Sequence, residues 1–255
     1  MRKYCLLILA LFLPHLSWAE EEMTIYSELT YLSAAPGAEA ALEATLLEND
    51  AVVAQAQANA RGLFAWALYR VLYHDGAYSH VVIRQAIQRE GLSPLAQASA
   101  AEALGVDLGS RLRGLAREEG RLVYSLEQFH TNLALRDRPF LTAIFLASDD
   151  EAGTREVLES RFGPALKTLI ADEAGPAAYS QYRRRMPSAG GDHDRVLVLQ
   201  YPTFKALGTS APAEAAFAAA GDSLEAAEAA LGEVASVVRS EHWQLVQVVT
   251  RQTEN

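Results

Sequence analysis

Two short aromatic and basic stretches are the strongest candidates for chemistry in this 255-residue chain. Trp66 and Arg70 lie in the stretch WALYR, and Tyr179 and Arg183 lie in the stretch YSQYR. A spacing of four residues puts each pair on one face of a β-strand, because side chains alternate across a strand. If that face lines a pocket, the ring and the guanidinium group can bind an anionic or aromatic ligand. If it points toward helices instead, Arg70 pairs with a carboxylate at the end of its strand.

Two further binding candidates, and two weaker candidates, lie on the neighbouring predicted strands. Gln85 and Gln200 occupy equivalent places and can add hydrogen-bond donors to a pocket, although edge solvation is the alternative interpretation. His80 begins one predicted strand and His130 ends another, where either can serve as an acid or base. Tyr69 is a further conceivable acid or base for such chemistry.

Cofactor and metal chemistry have little support in the residue patterns. No cofactor is predicted; haem is an alternative that would need His130 or His80 as its axial ligand. The segment Asp192-His193-Asp194 can bind a divalent cation only if adjacent residues face one ion, so no metal site is predicted. The chain has no HExxH, no GxSxG and no glycine-rich phosphate loop.

The first nineteen residues have the pattern of a secretory signal peptide. Arg2 and Lys3 precede an apolar run over residues 4–13, and Ser17-Trp18-Ala19 supplies a cleavage site. We expect cleavage after Ala19 and a soluble periplasmic or secreted protein without a membrane span. The single cysteine, Cys5, lies in this segment, so disulfides and thiol catalysis are excluded from the mature chain.

The apolar pattern that must position these residues predicts two runs of six elements in the order βαββαβ. In the first run, strands are predicted at 29–33, 63–73, 80–87 and 121–129, with helices at 39–60 and 93–119, the second of which can break at Gly105 and Gly109. In the second run, strands are predicted at 140–147, 177–186, 195–201 and 243–250, with helices at 151–172 and 212–239.

The two runs match each other in register. Trp66, Tyr69 and Arg70 correspond to Tyr179, Tyr182 and Arg183, and Arg117-x-Glu119 corresponds to Arg239-x-Glu241. The numbering offset only grows along the chain, as expected when insertions accumulate in loops and not in packed elements. We therefore predict a first unit at residues 20–136 and a second unit at residues 137–255, joined by the segment 134–138.

A βαββαβ unit of this length resembles the dimeric α/β-barrel superfamily with ferredoxin-like topology. That group includes antibiotic-biosynthesis monooxygenase-like, EthD-like and stress-responsive barrel proteins. The resemblance implies an α+β fold in which two tandem ferredoxin-like units pack sheet to sheet as an intramolecular barrel. Each predicted strand also carries apolar residues on both faces, so each unit needs a partner surface beyond its own helices.

Three functions remain open at this point. The favoured interpretation is an exported protein that binds a small apolar or aromatic, and in some cases anionic, ligand between its sheets. The alternatives are a cofactor-independent oxygenase or isomerase acting on a small aromatic substrate, and a structural or partner-binding module. The formal net charge of −10 and the lack of a basic stripe argue against nucleic-acid binding. We expect a monomer, because the two units supply each other's missing surface.

Overall fold

The computed structural model describes residues 24–73, 78–170, 175–185, 192–208 and 211–251. Eight strands and seven α-helices follow the predicted order βαββαβ twice. The strands are β1 Tyr26–Ala34, β2 Ala65–Tyr73, β3 His80–Ala86, β4 Ala116–Thr131, β5 Phe140–Ser148, β6 Ala178–Arg184, β7 Arg195–Tyr201 and β8 Ala235–Thr250. The helices are α1 Glu39–Thr45, α2 Ala51–Asn59, α3 Pro94–Leu104, α4 Glu151–Val157, α5 Gly163–Ile170, α6 Ala211–Ala219 and α7 Leu224–Gly232.

One closed antiparallel barrel contains all eight strands, in the order β1-β3-β2-β8-β5-β7-β6-β4. Strands β1 to β4 form one half of its circumference, here called the first sheet, and β5 to β8 form the second sheet. The sheets join along two seams, where β2 pairs with β8 and β4 pairs with β6. Closure leaves no strand edge unpaired, which removes the exposed edges that each sheet would otherwise present. The predicted barrel fold is therefore confirmed.

Helices cover the outside of both sheets, and the barrel has its own apolar interior. An outer cluster under α1 and α2 includes Leu42, Leu46 and Trp66. A second outer cluster under α4 and α5 includes Leu158 and Tyr179. The interior cluster contains Leu29, Tyr31, Ala67, Tyr69, Val81, Tyr124, Leu141, Ala143, Phe145, Val196 and Trp243. Each sheet is thus apolar on both faces, as the strand pattern predicts.

Two predicted helices end earlier than expected. Helix α3 begins with its Ser93 cap accepting from the Ala96 amide, but it ends at Leu104 because Gly105 adopts a left-handed conformation with φ of 69°. Gly105 is one of the two glycines predicted to interrupt this helix. The predicted helical stretches beyond it to Glu119, and beyond α7 to Arg239, are wrong, because Glu119 lies in β4 and Arg239 lies in β8. The Arg-x-Glu spacing suits a strand, because it places Arg239 Nε 2.7 Å from Glu241 Oε1 on one face.

Some sequence predictions lie outside the described residues. These are the signal peptide at residues 1–19, the last two residues of the helix predicted at 151–172 and the last residue of the strand predicted at 177–186. The predicted joint at 134–138 is described and contains a 3-10 turn, Leu135–Asp137. Within the described ranges, no helix is both long enough and apolar enough to cross a membrane. The exact boundary between the two units stays a prediction.

Candidate functional site

The barrel encloses a cavity of about 420 Å³ between the two sheets. Its inner wall includes Leu29, Tyr124 and Trp243. Phe64 and Phe129 also line it and are 52% and 45% exposed, so the cavity reaches the surface at their end of the barrel, here called the mouth. Ala65 and Ala67 of β2 leave this space open, because their small side chains point inward while bulky neighbours point outward. This volume lies within the usual range for small-molecule sites.

A polar girdle crosses the otherwise apolar cavity near its mouth. Gln85 Nε2 lies 3.3 Å from the hydroxyl of Tyr182, and Gln200 Nε2 lies 3.4 Å from the hydroxyl of Tyr69. Each pair joins one sheet to the other, and the two pairs occupy equivalent positions in the two repeats. Ser27 Oγ also accepts from Gln85 Nε2 over 3.0 Å. The girdle therefore presents hydroxyl and amide groups to a bound molecule from both sides.

Arg138 is the one positively charged residue in the described wall of the cavity. It is 5% exposed, and its Nε and Nη1 atoms have no hydrogen-bond partner among the described residues. Its guanidinium carbon lies 5.3 Å from the centre of the Phe129 ring. Burial lowers the pKa of Arg138, whereas the nearby Tyr69 and Tyr182 raise it. An arginine stays protonated in proteins, so the cavity holds a cation with unused donors.

Two of the six main candidate residues line the cavity. Gln85 and Gln200 lie on its wall, in the equivalent positions that the repeat predicts. Tyr69, the conceivable acid or base, lines it as well. Burial keeps the hydroxyl of Tyr69 protonated by raising its pKa, and the positive charge of Arg138 opposes that effect in part.

Trp66 and Arg70 do not line the cavity, and their strand face has the second of the two orientations that the sequence left open. Trp66 is 1% exposed and packs in the outer cluster under α1 and α2. Arg70 donates from Nε and Nη2 to the two carboxylate oxygens of Glu43, each over 2.8 Å. Period-two alternation correctly places both side chains on one strand face, but that face points to the helices. This is the alternative in which Arg70 pairs with a carboxylate.

The equivalent pair of the second repeat lies on the same outer side and does not line the cavity. Tyr179 packs under α5, and its hydroxyl donates to Gln181 Oε1 over 3.0 Å. Arg183 forms an ion pair with Glu151 at the start of α4. The pair Trp66 and Arg70 and the pair Tyr179 and Arg183 therefore occupy equivalent positions on the helix side of the two sheets.

The two histidine candidates also lie outside the cavity. His80 Nε2 is 2.9 Å from Glu43 Oε1, and its Nδ1 is 2.9 Å from Ser79 Oγ. His130 stacks on Tyr179, with ring centres 6.4 Å apart, on the helix side of the sheet. The described wall of the cavity contains no histidine. The described residues therefore do not fit a haem group held in this cavity by either ligand.

The segment Asp192-His193-Asp194 makes contacts within the protein. His193 Nδ1 lies 3.1 Å from Asp192 Oδ1, and Asp194 Oδ1 accepts from the Ser148 amide over 2.8 Å. The described residues contain no group of three or more ligands that could hold a metal ion.

Sequence reasoning missed Arg138 and Tyr182 as cavity residues. Tyr182 could have been found, because it is the repeat equivalent of Tyr69 and alternates with Arg183. Arg138 belongs to the connection between the sheets, which has no strand or helix period. Its only signal is topological, since a chain that links β4 to β5 must pass the end of the barrel.

No protein-family model and no curated protein matches this sequence. Among solved structures, an anthrone oxidase-like protein superposes with a TM-score of 0.60 at 12% identity, covering 92% of this chain and 96% of the other. A candidate monooxygenase from Fusobacterium nucleatum gives a TM-score of 0.57 at 10% identity, covering 91% and 96%. A candidate chlorite dismutase gives 0.50 at 13% identity, covering 88% and 95%.

These similarities extend over nearly the whole length of each chain. The superpositions show a shared fold, and at identities of 10% to 13% they show nothing about a shared reaction. The protein has the dimeric α/β-barrel fold, with ferredoxin-like topology in each sheet and both sheets supplied by a single chain.

Proposed function

We propose that this protein binds a small, mostly apolar or aromatic molecule that carries an anionic oxygen, in the cavity between its sheets. The observation that carries the proposal is the buried guanidinium group of Arg138 on the wall of an apolar cavity, where two of its nitrogens have no hydrogen-bond partner among the residues that the structure describes. A buried charge without a partner is costly, because it loses its hydration and gains no hydrogen bonds in return. A ligand oxygen with negative charge would supply those bonds.

The remaining groups of the cavity favour an aromatic ligand of modest size. The rings of Tyr69, Tyr182 and Trp243 contribute to the wall, and Phe129 lies at the mouth beside Arg138. Flat apolar molecules bury much of their surface against such rings. The hydroxyl and amide groups of the polar girdle can orient oxygen atoms on the ligand, as the few polar groups of small-molecule sites usually do.

Binding of 4-nitrophenol tests this proposal directly. Its phenolate form absorbs visible light and its neutral form does not, so the spectrum reports which form is bound. We expect the wild-type protein to bind the phenolate and to increase its fraction at a fixed pH near neutrality. Replacing Arg138 by glutamine removes the charge, and we expect affinity for the phenolate to fall at least about tenfold.

Arg70→Gln is the matched control, because Arg70 is an arginine on the helix side with its own carboxylate partner. It should bind 4-nitrophenol as the wild type does. Equal binding by Arg138→Gln and wild type would contradict the assignment of the anion site. Absence of binding by the wild type would count against the ligand-binding function and favour the structural or partner-binding alternative.

Cofactor-independent oxygenase or isomerase chemistry on the bound molecule is the second candidate function. Two similar folds belong to an anthrone oxidase-like protein and a candidate monooxygenase, and the cavity wall includes Tyr124, which hydrogen-bonds to a histidine. Oxygen uptake with anthrone, measured against protein-free buffer and against a Tyr124→Phe variant, tests this candidate. Uptake equal to that of buffer would leave binding without turnover.

Export and a monomeric state complete the proposal. The charged start, the apolar run over residues 4–13 and the Ser17-Trp18-Ala19 site support secretion with cleavage after Ala19. Mass spectrometry of the protein recovered from its native host would identify the mature N-terminus. Closure of the barrel within one chain supports a monomer, and light scattering of the purified protein would test it.

A further inference from the structure

Tyr124 connects the inner wall of the cavity to a buried histidine. Its hydroxyl lies 2.7 Å from Nε2 of His193, and the two rings are stacked with centres 6.1 Å apart. His193 Nδ1 lies 3.1 Å from Asp192 Oδ1. The side chain of His193 is 1% exposed, whereas that of Asp192 is 61% exposed. Three side chains therefore form a continuous hydrogen-bonded chain from the cavity to solvent.

The surroundings of His193 define which groups carry protons in the resting state. Burial lowers the pKa of His193, and the charges of Arg239 and Arg184 lower it further, whereas Asp192 raises it. Burial raises the pKa of Tyr124 well above neutral pH. The neutral imidazole then donates from Nδ1 to Asp192 and accepts at Nε2 from the Tyr124 hydroxyl. Hydrogen-bond geometry thus assigns the tautomer.

The packing around the imidazole holds this arrangement in place. The edge of the His193 ring meets Phe145, with centres 4.8 Å apart and planes at 75°. Arg239 Nη1 lies 3.1 Å from Asp192 Oδ1 and 3.5 Å from His193 Nδ1, and Arg184 donates to the His193 carbonyl over 3.0 Å. A base that is oriented by a carboxylate and hydrogen-bonded to a hydroxyl is the general arrangement that activates the hydroxyl.

We infer that Tyr124, His193 and Asp192 form a proton relay that removes a weakly acidic proton from a molecule bound in the cavity. The inference rests on the proposed function in that a ligand occupies this cavity. As the Tyr124 oxygen takes the proton from the ligand, its own proton passes to Nε2 of His193. The ligand keeps the electron pair of the broken bond as an enolate or phenolate, and the imidazolium forms an ion pair with Asp192. The Nδ1 proton then leaves through Asp192 to water.

Glu241 is a buried carboxylate near these three side chains, but it does not form a route for protons to solvent. Glu241 is 1% exposed and accepts from Arg239, Trp243 and Tyr78 at once. Its link toward the exposed Asp192 runs through Arg239, whose guanidinium group only donates and stays protonated, so this link does not relay a proton. Asp192 is the exposed end of its chain, so a proton that reaches it can exchange with water. This difference selects the Tyr124 chain as the route for proton transfer.

Deuterium exchange of 2-tetralone in D2O measures proton removal without any oxidant. Its CH2 group between the carbonyl and the ring exchanges through an enolate, and proton NMR follows the loss of the signal. We expect the wild type to accelerate exchange about 100-fold over buffer, a typical contribution of general base catalysis. Tyr124→Phe should return the rate to that of buffer. Tyr179→Phe, a buried tyrosine on the helix side, should exchange as the wild type does.

Asp192→Asn tests the relay through the pH dependence of the exchange rate, which a purely structural role of Asp192 would leave unchanged. Exchange requires neutral His193, so its rate falls at acidic pH. Removing the carboxylate removes the group that raises the pKa of His193, and we expect the acidic limb of the rate profile to move to lower pH. An unmoved limb would overturn the relay, as would wild-type exchange equal to buffer or to Tyr124→Phe. Binding of 4-nitrophenol, measured on the same samples, separates the outcomes: retained binding without exchange refutes only the relay.

Discussion

Gln85 of the first sheet donates from Nε2 to the hydroxyl of Tyr182 of the second sheet over 3.3 Å. Its repeat equivalent, Gln200 of the second sheet, donates from Nε2 to the hydroxyl of Tyr69 of the first sheet. The sheets are therefore linked across the cavity by side chains as well as along their seams by backbone hydrogen bonds. We expect these two equivalent polar links inside an apolar barrel to contribute to its stability.

A double-mutant cycle on Gln85→Ala and Tyr182→Phe should measure this link. The two residues are in contact, so we expect a coupling of about 0.5–1 kcal/mol in the free energy of unfolding. Urea denaturation of the four proteins gives the value. Gln200→Ala combined with Tyr182→Phe is the matched control, because Gln200 contacts Tyr69 instead, and that pair should be additive. Equal coupling in both cycles would contradict the pairing.

Arg138→Met should stabilise the free protein while it abolishes anion binding. Methionine fills a similar space without a buried, unpaired charge, and such replacements commonly raise the free energy of unfolding by about 1 kcal/mol. Urea denaturation without ligand measures the gain, and 4-nitrophenol titration measures the loss. A variant that is clearly less stable would mean that Arg138 has a structural role in the barrel.

Arg70→Gln should have a small effect on stability and none on binding. The Arg70 side chain is 50% exposed, and exposed ion pairs contribute about 0.5 kcal/mol. The free energy of unfolding and the affinity for 4-nitrophenol can be measured on one preparation. A large loss of affinity would restore Arg70 to the binding site and contradict its outward orientation.

The buried imidazole of His193 should make stability fall in acid. Burial lowers the pKa of His193 in the folded protein, whereas the unfolded chain takes up the proton below about pH 6.5. The unfolded state therefore binds more protons as pH falls from about 6.5 toward the folded pKa, and stability decreases over that window. The contribution is fully present above about pH 6.5.

The His193→Gln variant isolates the contribution of this imidazole to the pH dependence of stability. We expect the wild type to lose up to about 1.4 kcal/mol per pH unit more than the variant in this window. Urea denaturation at about pH 7.5 and about pH 5.5 provides the comparison. Parallel changes in the two proteins would show that His193 is charged in the folded state.

Fluorescence should distinguish the two described tryptophans. Trp243 lines the cavity, whereas Trp66 packs under α1 and α2. Each is 1% exposed, so Trp243→Phe and Trp66→Phe should each lose about 2 kcal/mol of stability through a residual void. Only Trp243→Phe should lose the quenching that 4-nitrophenol causes. Quenching that disappears in Trp66→Phe alone would place the ligand on the helix side.

The strand pattern and the repeat were sufficient to predict the barrel, because both depend on periodic apolar residues. The same pattern could not choose between the faces of β2, since Trp66 and Leu68 on one face and Ala67 and Tyr69 on the other are all apolar. Size decides the matter in the folded state: the alanines leave room for a cavity, and Trp66 fills the space under the helices. Matching of the repeats put Gln85 and Gln200 at equivalent positions, and both line the cavity, while their role in binding stays a prediction.

Residues outside the periodic elements could not be assigned by such reasoning. Arg138 lies in the connection between β4 and β5, and its burial depends on how the finished barrel closes around it. His193 lies just before β7, and its contact with Tyr124 joins residues 69 positions apart in the chain. Both features require the three-dimensional path of the backbone.

The single connection between β4 and β5 makes the cavity asymmetric. In a dimer of identical chains, the two-fold axis would repeat every cation of the cavity wall, so cations would occur there in pairs or not at all. A covalently joined pair has only one such linker, and Arg138 at its end is the one guanidinium group in the described part of the cavity wall. We therefore expect an elongated ligand to enter with one end preferred over the other. We expect a prochiral ligand to expose one of its two faces to Tyr124.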